Sequence, residues 1–116
     1  MAWGSVELEP GVRRWLEDLS ARHFGAAAFH IDLLGERGPL LGEPYTRQLS
    51  GKLRELRVHL GGEAVRVTYW IASGRRIVLL TVFTKQRMRQ SAEVRRAVRA
   101  VERCRAEMHV VEDDDG

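Results

Sequence analysis

The stretch that decides the fold is residues 51–84, GKLRELRVHLGGEAVRVTYWIASGRRIVLLTVFT. It contains three largely apolar runs, at 53–60, 64–71 and 76–83. Gly61-Gly62 separates the first two runs, and Ser73-Gly74 separates the last two. Paired turn residues between alternating runs are typical of β-hairpins. The stretch therefore predicts three consecutive strands in a largely antiparallel sheet.

The charged residues of these runs can be assigned to faces, because side chains alternate between the two faces of a strand. In the first run the polar face carries Glu55, Arg57 and His59. In the second run Arg66 likewise alternates with valines. We expect both arginines to line one groove and to point away from the core, so that alanine at either position leaves the fold intact. A sheet with a cationic face favours a phosphate-rich ligand.

The N-terminal part of the chain predicts a short strand and two helices. Residues 3–8 can form the strand, and Glu9-Pro10 is a typical helix start because proline is tolerated in the first turn. Apolar residues then recur at helical spacing, at Val12, Trp15, Leu16 and Leu19. We expect a break at Gly25 and a second helix over about residues 26–35, which would pack on the first as a hairpin.

The rest of the chain predicts a connector, a final helix and a tail. Residues 40–50 are rich in turn-forming residues. Alanines and valines at helical spacing predict a C-terminal helix from about Ser91. The acidic residues 112–116 are predicted to be a disordered tail, which leaves residues 1–111 as a single domain. The predicted fold class is α+β: a mostly antiparallel sheet of about four strands, an N-terminal helical hairpin and a C-terminal helix.

Charge is unevenly distributed along the chain, although the net charge is only +3. Residues 45–76 carry a net +5 and residues 85–105 a net +6, whereas residues 1–44 carry −3 and residues 106–116 carry −5. Neutralising phosphates with arginine or lysine releases condensed counterions, so a polyanion would bind the basic half. The competing interpretation is a solvated, arginine-rich surface.

Composition also excludes several classes of protein. A single cysteine, Cys104, excludes an intrachain disulfide framework, and four scattered histidines show no zinc-binding spacing. We therefore expect no metal and no cofactor. No apolar run approaches the roughly 20 residues of a transmembrane helix, and the N-terminus lacks the features of a signal peptide. We expect a cytoplasmic protein with no membrane partner.

Several short motifs occur in an order that resembles the RelE/ParE superfamily of small bacterial toxins, and in particular its phage-derived HigB-like branch. The branch tends to show a Gly-x-Leu-x-Glu-Leu-Arg run, here residues 51–57, and an Arg-x-x-Tyr strand, here residues 66–69. It also shows a hydrophobic strand ending in Phe-x-Lys, here residues 83–85. With the order β, α, α, β, β, β, α, the resemblance covers nearly all of residues 6–105 and implies a RelE-like domain.

The resemblance implies the toxin of a type II toxin–antitoxin system. Such a toxin is an mRNA interferase, an endoribonuclease that cleaves mRNA in the ribosomal A site. The cut needs no metal, because the attacking 2′-hydroxyl belongs to the RNA and the enzyme has to position it and stabilise charge on the phosphoryl oxygens. The implied partners are mRNA, the 70S ribosome and a cognate helix-turn-helix antitoxin, with which the toxin would form a hetero-oligomer. The alternative is a ParE-like toxin that binds and inhibits DNA gyrase without catalysis.

The site residues implied by the resemblance lie in the basic half of the chain. Arg57 and Arg66 match strand residues that touch the phosphate in RelE-like nucleases, and a guanidinium pairs with phosphate in two places. With Lys85 and Glu55 they form the predicted catalytic set. The predicted RNA-binding set is Lys52, Arg54, Arg87, Arg89 and Arg95.

The group that transfers protons stays open at the level of sequence. The candidates are Glu55, His59, Tyr69 and His109. Glu55 has the best motif context, but a carboxylate among arginines is more often an ion-pair partner. His59 can change its charge near neutral pH, although a histidine at a strand end is usually just solvated. Tyr69 alternates with apolar residues and is more simply a core residue.

Overall fold

The computed structural model describes the backbone of residues 2–84 and 90–115, and the side chains of residues 2–84 and 94–106. In chain order the elements are β1 Ser5–Leu8, α1 Pro10–Glu17, α2 Ala21–Arg37, β2 Thr46–Ser50, β3 Leu53–Leu60, β4 Glu63–Ala72, β5 Arg76–Thr84 and α3 Gln90–Asp115. A single turn of 3-10 helix, Gly38–Leu40, follows α2. The three predicted strands of residues 51–84 are present as β3, β4 and β5.

The strands form one mixed sheet in the order β1-β5-β4-β3-β2. The neighbours from β2 to β5 are antiparallel, and the turn signals predict this for the pairs β3–β4 and β4–β5. The first strand, β1, joins the sheet beside β5 and runs parallel to it, with Val6 opposite Ile77. The prediction of about four mostly antiparallel strands is therefore corrected to five strands with one parallel pair.

The strand that the sequence does not reveal is β2. Its sequence, TRQLS, shows little apolar alternation, and turn-forming residues stand on both sides of it. Pairing with β3 makes it a strand: Arg47 lies opposite Glu55, and Gln48 lies opposite Arg54. Strand formation depends strongly on such cross-strand context, so the connector predicted over residues 40–50 is wrong for its second half.

The break between the first two helices lies at residues 18–20 and not at Gly25, which is an exposed residue within α2. Ser20 caps α2, because its side-chain oxygen accepts a hydrogen bond from the backbone N–H of His23 at 3.3 Å. Such a cap stabilises a helix by about 1 kcal/mol, which offsets the similar cost of one glycine inside it. Both α1 and α2 pack more extensively on the sheet than on each other, so the predicted hairpin is wrong.

Helices lie on both faces of the sheet and bury two separate apolar clusters. On the face covered by α1 and α2, the sheet contributes Leu56, Val58, Leu60, Val65, Val67, Tyr69, Ile77 and Leu79. On the other face, α3 packs against a cluster that includes Leu53, Trp70, Val78 and Leu80. The strand β5 contributes to both clusters, as its apolar run predicts.

The turn between β3 and β4 sets the register of the two strands that carry most of the polar residues. Gly61 and Gly62 adopt φ angles of 58° and 83°, in the left-handed region that glycine enters without strain. In the resulting register Arg57 lies directly opposite Arg66. The hairpin predicted from Gly61-Gly62 therefore brings these two arginines together on neighbouring strands.

The last helix reaches Asp115, so the backbone of residues 112–115 continues α3. The division of the chain into a domain of residues 1–111 and an acidic tail stays a prediction. Within the described ranges, no helix is long and apolar enough to cross a membrane.

Candidate nucleic-acid interface

Charged side chains from three neighbouring strands lie together on the α3 side of the sheet, beyond the apolar cluster that α3 covers. We call this surface the arginine face; it consists of Arg47 on β2, Glu55, Arg57 and His59 on β3, and Arg66 on β4. Its members share one side of the sheet because Arg47 is the partner of Glu55 across β2 and β3, and Arg57 is the partner of Arg66 across β3 and β4.

Glu55 is the centre of the arginine face, and its side chain is fully buried. Arg66 donates a hydrogen bond from Nη1 to Oε1 of Glu55. The Nε atoms of Arg57 and Arg47 lie 3.7 Å and 3.8 Å from the same oxygen. Three guanidinium groups, one from each of three adjacent strands, therefore converge on a single carboxylate oxygen.

The three arginines differ in how far they reach into solvent. The exposed fraction of the side chain is 7% for Arg66, 29% for Arg57 and 45% for Arg47. A buried charge is costly unless it is paired, so Glu55 and Arg66 depend on each other. The expectation that Arg66 points outward into solvent is therefore wrong, because its side chain is buried against Glu55. Replacing Arg66 by alanine would leave Glu55 without its hydrogen-bonded partner, so a loss of stability is expected in that variant. Arg57 and Arg47 are accessible and can contact a ligand.

Some polar atoms of this cluster are buried without a partner. Among the described residues, Oε2 of Glu55 and the Nε atoms of Arg57 and Arg66 make no hydrogen bond. A buried polar group left without a partner costs about 1–3 kcal/mol. Because these atoms are buried, the two Nε donors are a cost of the cluster, and a ligand would have to contact the exposed part of the arginine side chains.

A groove of about 280 Å³ lies beside the cluster. Its lining residues are Arg57, His59, Ala64, Val65 and Arg66. Two guanidinium groups line the groove, and guanidinium groups pair well with phosphate, so the groove suits an anionic group such as a phosphate. The exposed imidazole of His59 lies in the same groove as the two arginines.

The threonine hydroxyl groups on the strands next to Glu55 form hydrogen bonds with each other and with the backbone. Thr68 is the partner of Glu55 on β4, but its Oγ1 lies 2.5 Å from Oγ1 of Thr81 and accepts a hydrogen bond from the Thr81 N–H at 3.1 Å. A β-bulge follows Thr68 in the pairing of β4 with β5. Glu55 therefore receives its donors from arginine and not from these hydroxyl groups.

Three of the four residues in the predicted catalytic set lie together on the arginine face: Glu55, Arg57 and Arg66. The fourth, Lys85, lies outside the described residues, as do Arg87 and Arg89 of the predicted RNA-binding set. The role of each of these residues stays a prediction.

The other predicted RNA-binding residues do not join the cluster. Arg54 lies on the opposite face of β3, where its Nε donates to the hydroxyl oxygen of Tyr69 and its Nη2 donates to Oγ1 of Thr46, both at 3.3 Å. Lys52 is exposed in the turn between β2 and β3, and Arg95 is exposed on α3. Arg54 is thus occupied by neutral acceptors, away from the groove.

The candidate proton-transfer groups differ from one another in burial and in location. Tyr69 is fully buried in the cluster beneath α1 and α2. Glu55 is buried among arginines, and the side chain of His109 lies outside the described ones. Of the described candidates, His59 is the one that is exposed in the groove.

Sequence reasoning missed Arg47, the most exposed arginine of the cluster. The reason is that residues 40–50 predict a connector, and a residue in a connector cannot be assigned to a face. The signal in the sequence is weak. Arg47 and Leu49 are two residues apart, as residues on one face of a strand are. If residues 46–50 formed a strand antiparallel to β3, Arg47 could lie opposite Glu55.

A second ion pair occurs at the far edge of the sheet, between β1 and β5. Nε of Arg76 lies 2.8 Å from Oε2 of Glu7, and Nη2 lies 3.3 Å from Oε1. The hydrogen bonds from Arg76 hold the pKa of Glu7 below its ordinary value. Because the Glu7 side chain is 45% exposed, this pair differs from the buried pair of Glu55 and Arg66.

Two solved structures are similar to this chain in fold. A mutant of the E. coli toxin RelE in the free state has a TM-score of 0.59 and 15% sequence identity, over 89% of this chain and 98% of that one. The archaeal RelE–RelB complex from Pyrococcus horikoshii OT3 gives a TM-score of 0.54 and 23% identity, over 75% of this chain and 99% of that one. At these identities the similarity shows a RelE-like α+β fold.

The amino-acid sequence was also compared with curated proteins and with protein families. No curated protein sequence gives a significant match. Residues 14–105 match the family described as "Phage derived protein Gp49-like (DUF891)", and this segment includes every residue of the arginine face. The chain belongs to the phage-derived Gp49-like family.

Proposed function

We propose that this protein is the toxin of a type II toxin–antitoxin pair, of the HigB-like kind, and that it cleaves mRNA in the ribosomal A site. The observation that carries the proposal is the arginine face: three guanidinium groups around one buried carboxylate, beside a groove of about 280 Å³. Membership of the Gp49-like family and the RelE-like fold support it. A ribosome-dependent activity implies a cytoplasmic location.

The chemistry proposed is attack of an RNA 2′-hydroxyl oxygen on the adjacent phosphorus, without a metal ion. A 2′,3′-cyclic phosphate forms as the bond from phosphorus to the 5′-oxygen of the next nucleotide breaks, the 2′-hydroxyl gives up its proton and the leaving 5′-oxygen takes one up. Charge builds up on the phosphoryl oxygens during this attack, and preorganised cationic donors stabilise it. Arg57 is the arginine that both lines the groove and reaches solvent, so we assign it to the phosphate. Arg66 contributes by holding Glu55, which in turn lies within 4 Å of the Arg57 guanidinium.

We assign proton transfer to His59. Among the described candidates it is exposed in the groove beside Arg57, and a histidine can accept and return a proton near neutral pH. Glu55 is the less suitable base in this conformation, because one of its oxygens is engaged by Arg66 and the other is buried. Its proposed part in catalysis is to orient the arginines.

The proposed partner that controls this activity is an antitoxin. The solved archaeal RelE is a complex with RelB, and the positive charge of residues 45–76 and 85–105 would bind cellular RNA without selectivity if no partner covered it. We propose a helix-turn-helix antitoxin that forms a hetero-oligomer with this chain and keeps it from the ribosome.

A cell-free translation reaction tests the proposal. Purified protein should cleave a translated transcript at discrete positions within codons, should leave the same RNA intact when ribosomes are absent, and should be unaffected by EDTA added to the isolated protein before the reaction. A parallel supercoiling reaction measures inhibition of DNA gyrase. Intact transcript together with loss of supercoiling would contradict the proposal and support a ParE-like toxin.

A further inference from the structure

The charges of the arginine face do not balance. Glu55 contributes one negative charge, and Arg47, Arg57 and Arg66 contribute three positive charges. Among the described side chains, Arg66 alone donates a hydrogen bond to the carboxylate, while the other two guanidinium groups lie 3.7 Å and 3.8 Å from it. The carboxylate thus holds two further cations near it without neutralising them.

Those two cations, Arg57 and Arg47, lie close to each other. Each Nε lies within 3.8 Å of the same oxygen of Glu55, so the two Nε atoms are less than twice that distance apart. The backbone supports this arrangement, because the N–H of Arg57 donates to the carbonyl oxygen of Tyr45 at 2.8 Å, two residues before Arg47. Diagonal neighbours on antiparallel strands are within reach of one extended ligand.

We propose that Arg47 is a further phosphate-contacting residue, and that Arg57 and Arg47 bind two phosphates of one RNA strand. This inference rests on the proposed function, because it places the RNA along the arginine face from the groove beside β4 to the edge strand β2. Arg66 lies beneath this path as a positioning residue. Exposure of the side chain increases from Arg66 through Arg57 to Arg47. An RNA strand can therefore reach these arginines from the edge of the sheet at β2.

The competing explanation is that Arg47 is only a surface partner of Glu55. An exposed ion pair contributes little to stability, about 0–1 kcal/mol, and Glu55 already has its hydrogen bond from Arg66. The two explanations differ in what Arg47 does to RNA binding. A phosphate contact releases counterions from the RNA, whereas a partner of Glu55 does not.

The test is the salt dependence of binding to a short single-stranded RNA whose 2′-hydroxyl groups are methylated, so that it cannot be cut. Affinity is measured by fluorescence anisotropy over a range of salt concentrations for the wild type, Arg47→Gln and Arg22→Gln. Arg22 is the matched control, because it is an exposed arginine on α2, which packs on the opposite face of the sheet. Thermal melting of each variant shows that the fold is retained.

We expect the slope of log affinity against log salt concentration to become less steep by about 0.7 in Arg47→Gln, the value for one phosphate contact on a single strand. The slope of Arg22→Gln should equal that of the wild type. An unchanged slope in Arg47→Gln overturns the inference, as does a wild type that binds no RNA at low salt. The proposed function fails separately, if the wild type cleaves no transcript on the ribosome.

Discussion

The two faces of the strand β3 show how one segment serves two purposes. On the side of α1 and α2 it presents Leu56, Val58 and Leu60, which are buried in the larger apolar cluster. On the other side, at the intervening positions, it presents Glu55, Arg57 and the exposed His59. From Glu55 to Leu60, therefore, β3 buries apolar side chains on the α1 and α2 side, whereas on the α3 side it carries one carboxylate with more arginines around it than are needed to pair that carboxylate.

Two arginines of the same strand make this contrast sharper. Arg54 lies on the side of α1 and α2 and donates to the neutral oxygens of Tyr69 and Thr46. Arg57 lies three residues further on the arginine face, where its Nε is buried and, among the described residues, has no hydrogen-bonding acceptor. Residue type and motif position are similar for the two, so the face on which each lies decides what it can contact.

The largest effect should follow from removing the carboxylate at the centre of the arginine face. In Glu55→Leu the buried guanidinium of Arg66 loses its partner. Breaking a buried ion pair in this way typically destabilises a protein by about 3–5 kcal/mol. We expect a loss of that size in the free energy of unfolding, measured by urea denaturation.

The double variant Glu55→Leu with Arg66→Leu is the control for this loss. Replacing both members of a buried ion pair by apolar residues is often neutral for stability, so the double variant should be within about 1 kcal/mol of the wild type. If the single variant were equally close to the wild type, Glu55 and Arg66 would not depend on each other and our account of the cluster would be wrong.

The exposed ion pair at the far edge of the sheet should give the smallest effect. Glu7→Gln removes the partner of Arg76, and an exposed pair contributes about 0.2–1 kcal/mol at neutral pH. Because Arg76 lowers the pKa of Glu7 in the folded state, the contribution is complete above the ordinary pKa of a glutamate, about 4.3. It is lost as the pH falls through the lowered pKa of the folded state.

The measurement for this pair is the difference in unfolding free energy between the wild type and Glu7→Gln at several pH values. The difference should be small and positive at neutral pH and should shrink below about pH 4. A difference that instead grew on acidification would contradict the assignment of Glu7 as the titrating partner. A loss of stability at neutral pH as large as that of Glu55→Leu would show that burial does not determine how much each ion pair contributes to stability.

Much of the fold can be predicted from the sequence, because alternation and turn chemistry are local signals. Alternating residues define β3 and β4, and Gly61-Gly62 defines the turn between them. Those signals also place Glu55 and Arg57 on one face, opposite Leu56. The same alternation puts Arg54 on the apolar side of β3, which conflicts with its inclusion in the RNA-binding set.

The rest could not be predicted, because it depends on pairing between distant segments. The strand β2 has no apolar periodicity of its own, and pairing with β3 brings Arg47 to Glu55. The parallel position of β1 beside β5 likewise depends on contacts between Val6 and Ile77, which are far apart in sequence. The burial of Arg66 follows from the convergence of three strands, and no local pattern carries that information.

The measurement that tests the central claim most directly is the rate of transcript cleavage in a cell-free translation reaction by Arg57→Gln, compared with the matched control Arg22→Gln. Removing one preorganised donor to a developing oxyanion typically lowers a rate by about 10²–10³. We predict a loss of that size for Arg57→Gln, with its melting temperature close to that of the wild type, and an unchanged rate for Arg22→Gln. A folded Arg57→Gln protein that cleaves at the wild-type rate would contradict the claim that the arginine face binds the reacting phosphate.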